Sequence, residues 1–103
     1  RDLTGIEASE NQARQILADL HHYEAGADLD RSMAAIRWRV EVFEPMLGRI
    51  MDLDRRRTDD PLQAYTDFLH HRYVISVADG KDVSNEEAFT SWLAADQPGY
   101  PLG

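Results

Sequence analysis

Leu29-Asp30-Arg31-Ser32-Met33-Ala34-Ala35-Ile36-Arg37-Trp38-Arg39-Val40-Glu41-Val42-Phe43-Glu44-Pro45-Met46-Leu47-Gly48-Arg49-Ile50 is the stretch whose reading decides the fold. Leu29, Met33, Ile36, Val40, Phe43, Leu47 and Ile50 recur at alternating steps of four and three, a heptad-like seam that predicts one long amphipathic helix. Asp28 or Asp30 stands where a side-chain cap is needed. Pro45 interrupts the seam: it donates no backbone N–H, and its ring crowds the carbonyl four residues back. The helix is therefore expected to kink or break there, with a restart placing Pro45 at the first helical position. Trp38 falls off the seam. It must pack against another helix or stand at a surface that meets something else, and a core role is favoured because tryptophan is usually largely buried.

The flanking segments are also helical. Ser9 followed by Gln12 reads as a capping-box start, and Ala13, Ile16, Leu17, Leu20 and Tyr23 follow at steps of three and four until Gly26. A polar connection from Asp52 to Asp60 ends in Asp60-Pro61, a cap followed by a proline suited to a first turn. Leu62, Tyr65, Phe68, Leu69, Tyr73 and Val77 then line a third helix up to Asp79-Gly80, with some strand-like character at Val74-Ile75. Ser84-Asn85-Glu86-Glu87 is a second capping box, Val83 and Ala88 form a staple, and Ala88, Phe89, Trp92 and Leu93 share one face of a fourth helix that ends before Pro98. No run alternates with period two, and no repeat of 20 to 50 residues is present. The expectation is all-α: an antiparallel bundle of about four helices spanning residues 1–96, with the second helix as its long central member, helices one and four packed on it, and residues 97–103 as an extended tail.

The 103 residues are 43% hydrophobic, 29% charged and 9% aromatic, the composition of one soluble globular domain able to bury a core without disulfides or a structural metal. Eleven Lys+Arg against nineteen Asp+Glu give a net charge of -8, shared by both halves, which disfavours nucleic acid and anionic lipid as partners. With no cysteine there is no thiolate chemistry, and cytoplasm is the default compartment. No apolar run approaches the ~20 residues a membrane helix needs. A chain opening on Arg1 and closing on Gln97-Pro98-Gly99-Tyr100-Pro101-Leu102-Gly103 reads as part of a longer protein.

Catalytic signatures are missing. Adjacent helix positions point about 100° apart, so neither His21-His22 nor His70-His71 can chelate one ion alone. A metal would need one histidine from each pair plus a carboxylate such as Asp19 or Asp67. The plainer reading has His21 and His22 complementing a helix C-terminus and His71 pairing with Asp67 one turn earlier. Glu41/Glu44, Asp59/Asp60 and Glu86/Glu87 read as helix-face, cap and first-turn charges. No nucleophile motif or glycine-rich phosphate loop is present. Arg55-Arg56-Arg57, with Arg49 behind it, is the one dense basic cluster, and Asp52, Asp54, Asp59 and Asp60 flank it closely. No catalytic residue, metal or cofactor is assigned.

The segments Leu3 to Arg14, Ile36-Arg37-Trp38, Val42-Phe43-Glu44-Pro45, Leu69-His70-His71-Arg72-Tyr73 and Asp82 to Ala88 carry a resemblance. They resemble the C-terminal part of an actinobacterial family, the domain-of-unknown-function family numbered four thousand and thirty-two, over about Leu3 to Leu93. One Lys against ten Arg, with twelve Ala, fits a GC-rich genome. The resemblance implies that a larger region, distantly similar to lipopolysaccharide or sugar kinases, precedes this one, and it carries over no catalytic residue.

Two functional readings follow. The first is a non-catalytic accessory domain that docks on the kinase-like remainder of its own polypeptide or on a second copy, with Arg37, Trp38, Arg72 and Tyr100, together with Leu102, as interface candidates, since arginine and aromatics most often anchor interfaces. The alternative is a small-molecule or metal site within the bundle around His71 and Arg72, drawing on Glu10, Asn11, Arg14 and Glu44.

Overall fold

The computed structural model describes residues 3–27, 29–55 and 58–99, with side chains described from Glu10 onward apart from Asn11. Among these residues the chain forms α1 (Leu3–Gly26), α2 (Arg31–Trp38), α3 (Glu44–Met51), α4 (Pro61–Asp79) and α5 (Asn85–Ala94). A π-helical turn (Arg39–Phe43) joins α2 to α3 into one continuous helix. The chain is all-α, and its long second helix carries its irregularity on the N-terminal side of Pro45.

Local chemistry sets the element ends. α1 begins at Leu3, so Ser9 and Gln12 lie inside the helix instead of starting it. Gln12 serves tertiary structure: its amide donates to Gln63 Oε1 at 3.1 Å and reaches Asp60 Oδ2 at 3.4 Å. Asp30 caps α2 by accepting the Met33 N–H at 2.9 Å, while the other cap considered, Asp28, lies outside the described residues. Asp60 accepts the Leu62 and Gln63 N–H groups ahead of Pro61. Gly80 ends α4 at φ 74°, where the Gly80 N–H bonds Val77 O and the Lys81 N–H bonds Ser76 O, the two bonds of a Schellman termination. Ser84 caps α5 by accepting the Glu87 N–H at 3.2 Å.

Pro45 occupies the first turn of α3. Because it offers no N–H and crowds the carbonyl four residues back, the backbone widens just before it, and the Glu44 N–H donates to Arg39 O five residues earlier. The wide turn also changes which face is buried. Ala34, Trp38, Met46 and Ile50 are buried and Val42 half-buried, a stripe with uniform steps of four. A helix of 3.6 residues per turn would swing such a stripe progressively off one face, and the π turn takes up the overshoot.

The helix at the centre is α4, not the second helix. It touches α1, α3 and α5, whereas α2 touches only α1 and its own π continuation, and α5 packs chiefly on α4. Every residue from 64 to 69 is buried. Around Phe68 (0% exposed) gather Tyr65, Leu69, Met46, Ile50, Phe89 and Trp92. A file of rings crosses this core. Trp38 stacks on Phe43 at 5.2 Å, Phe43 meets Tyr65 edge-on at 5.1 Å, and Phe68 meets Phe89 and Trp92 at 5.7 and 6.0 Å. Such pairs contribute about 0.5–1.5 kcal/mol each beyond their burial. Leu93, expected on the buried face of α5, is exposed instead.

Beyond α5 the chain turns through two left-handed residues, Asp96 (φ 66°) and Gln97 (φ 53°), a conformation costing about 1–2 kcal/mol per non-glycine residue. Hydrogen bonds hold it, among them the Asp96 N–H to Leu93 O (3.0 Å), the Gln97 N–H to Trp92 O (2.8 Å), Gln97 Nε2 to Arg55 O (2.8 Å) and Trp92 Nε1 to Pro98 O (3.1 Å). The described part of the expected tail, residues 97–99, is thus folded onto the domain.

Candidate functional site

Asp19 lies three residues after Ile16 and four before Tyr23, on the inward face of α1, and is 6% exposed. Its Oδ1 accepts from Arg72 Nη2 at 2.5 Å and its Oδ2 from the Trp38 indole N–H at 2.8 Å. Arg72 Nη1 donates to Asn85 Oδ1 at 2.6 Å. Burial first, and then the adjacent Asp19 charge and hydrogen bond, hold the Tyr65 phenol protonated well above the ordinary tyrosine range, against the opposing pull of Arg72. The Asp19–Arg72 pair thereby ties together α1, α2, α4 and the first residue of α5. Desolvating two charges is expensive, and the hydrogen bonds that Trp38 and Tyr65 add to Asp19 and that Arg72 makes to Asn85 offset part of that cost. Among the described residues no buried side-chain N or O lacks a partner.

Above this brace opens a cleft of about 680 Å3 between α1, the π turn, α4 and the start of α5. Asp19, Trp38, Arg72 and Asn85 line its floor, Val42, Leu69 and Val83 its walls, and Tyr23 and Tyr73 its sides. At its rim His22 Nε2 stands 3.6 Å from Asp82 Oδ2, an exposed pair linking α1 to the segment before α5.

The sequence-derived candidates scatter. Of Glu10, Asn11, Arg14, Glu44, His71 and Arg72, only Arg72 lines the cleft. Glu10, Arg14 and Glu44 are exposed on α1 and α3, and the side chain of Asn11 lies outside the described residues. His71, adjacent to Arg72, points to a different neighbour about 100° around the helix: its Nε2 lies 2.9 Å from Ser91 Oγ on α5, and burial lowers its pKa below the usual histidine value. Among the described residues no three His, Asp or Glu side chains converge as a metal site.

The interface candidates divide too. Trp38 is 6% exposed and Arg72 is held inside the brace, so both do internal work. Arg37 is exposed and pairs with Glu41 one turn on, at 3.5 Å. Tyr100, Leu102, Arg56 and Arg57 lie outside the described residues. Arg49 leaves the basic cluster altogether, donating to Glu86 at 2.6 Å with its guanidinium 4.5 Å over the Phe89 ring.

Sequence reasoning weighed Asp19 as a metal ligand and missed it as the hub. The signal was its spacing: an acidic side chain placed between Ile16 and Tyr23 at core steps of three and four needs a buried partner. Asn85, read as part of a cap, gave no separate signal.

No helix among the described residues is long and apolar enough to cross a membrane. No curated protein and no solved structure matches the chain. A family model does match, over residues 1–96, and on that match the chain belongs to the family described as Domain of unknown function (DUF4032).

Proposed function

We propose that this is a non-catalytic accessory domain that docks on the remainder of its own polypeptide through the outer face of α2. The observation that carries this reading is the exposed stripe Met33 (46%), Ile36 (52%) and Val40 (51%), at heptad steps on a helix that packs on one side only. Leu17 on α1 is also 52% exposed. Apolar side chains grouped in this way, beside the exposed Arg37, have the make-up of an interface core with a charged edge. The occupant is the one that the resemblance to the actinobacterial family implies, a kinase-like region expected to precede this domain.

Light scattering on this chain mixed with that preceding region, with and without Ile36→Glu, tests the reading. We expect a complex that persists at moderate salt, because its contact is apolar. It should be lost in Ile36→Glu, while the unfolding free energy of the variant chain alone holds within about 0.5 kcal/mol, as for an exposed site. A chain that ignores the region, or a complex indifferent to Ile36→Glu, overturns the proposal, and doubling of the chain's own mass assigns the face to a second copy.

A further inference from the structure

We propose that the cleft above the Asp19–Arg72 brace binds a small organic carboxylate with an apolar, ring-sized body. This site is separate from the α2 stripe and does not rest on the docking reading. Its size, about 680 Å3, lies within the range of small-molecule pockets, and apolar walls with a few convergent polar groups at the floor are their usual construction.

The hydrogen-bond inventory of the floor sets the ligand chemistry. Asp19, its acceptor, is engaged by Arg72, Trp38 and Tyr65. Arg72 carries five N–H donors on a side chain that is 19% exposed and lines the cleft, and the bonds to Asp19 and Asn85 use two of them. Because Asn85 Oδ1 accepts from Arg72, what Asn85 has left to offer is chiefly its NH2 group. The floor therefore presents donors, one of them charged, and the complementary group is an acceptor.

Charge and shape narrow the class. A cationic ligand would meet the guanidinium directly. A dianion would bring excess charge beside Asp19 and Asp82 in a chain of net charge -8. A carboxylate is a planar monoanion that matches an edge of the guanidinium. The Val42, Leu69 and Val83 walls, with the Tyr23 and Tyr73 rings, need a hydrocarbon or aromatic body rather than a short polar acid.

The test is an NMR titration of the 15N-labelled chain with 3-phenylpropanoate, against 3-phenylpropanamide and 3-phenylpropylammonium as isosteres. The expected result is a saturable shift of the Arg72 Nε–H, Trp38 indole N–H and Asn85 side-chain amide signals with the acid. The amide should bind at least about tenfold more weakly and the ammonium not at all. Since Arg72→Met removes part of the fold's brace, the discriminating variant is Val42→Trp, which fills the cleft from the π turn. It should abolish binding while the indole signal of the Trp38–Asp19 bond stays in place. No saturable shift up to about 10 mM acid, equal binding of either isostere, or binding that survives Val42→Trp overturns the proposal.

Discussion

α2 and α4 both carry apolar side chains at helical spacing, yet they end in opposite situations. α4 is enclosed by α1, α3 and α5, and residues 64–69 are buried without a break, Thr66 and Asp67 included. α2 has one neighbour and leaves the middle of its seam in solvent. The difference teaches that periodicity identifies a helix, whereas the number of neighbours decides which side chains leave water. α2 buries Ala34 and Trp38 in place of its heptad seam because Trp38 brings a large ring and an N–H that Asp19 satisfies. A seam of Met, Ile and Val has no comparable partner among the described residues.

Three measurements sharpen that contrast. The largest effect belongs to the enclosed helix: Phe68→Ala leaves a cavity among Tyr65, Phe89 and Trp92 and should cost about 3–5 kcal/mol in a denaturant titration. A loss near 1 kcal/mol would mean that α4 is no more enclosed than α2. Next comes the contact that joins the two helices through α1. Asp19→Asn keeps the shape but removes the charge facing Arg72, and should cost about 1.5–3 kcal/mol, with a shifted indole N–H signal for Trp38. An unchanged stability would show that the brace contributes little.

The smallest effect is expected from His71. The unfolded chain binds a proton there near pH 6.5, whereas burial makes the folded chain bind it only at lower pH. Between those two values the unfolded state holds more protons. The share of stability that depends on neutral His71 is therefore complete above about pH 6.5 and declines as the pH falls through the folded value. His71→Gln should flatten that part of the stability profile, and an identical slope in the variant would remove His71 as its source.

Much of this architecture was legible locally. The Asp60-Pro61 start of α4 and the Ser84 cap of α5 follow from side chains that satisfy helix-end groups within three residues, and the Gly80 stop from a backbone that takes positive φ. The site was less legible. Arg72 and His71 were named together as one candidate site, yet neighbours in sequence diverge on a helix, and Arg72 reaches Asp19 on α1 while His71 reaches Ser91 on α5. Asp19 carried a readable signal in its spacing, but its partners Trp38 and Arg72 are 19 and 53 residues away.

The sequence by itself determined the helices, the caps of α4 and α5, the irregularity around Pro45 and the acidic character of the chain, because these depend on interactions within a turn or two of backbone or on composition alone. Only the tertiary structure decided that α4 is the centre, that the α2 seam faces outward, and that the Asp19–Arg72 pair draws three helices and the start of a fourth around a cleft. Those outcomes depend on which surfaces compete for the same buried space, and that competition is settled between residues far apart in the chain.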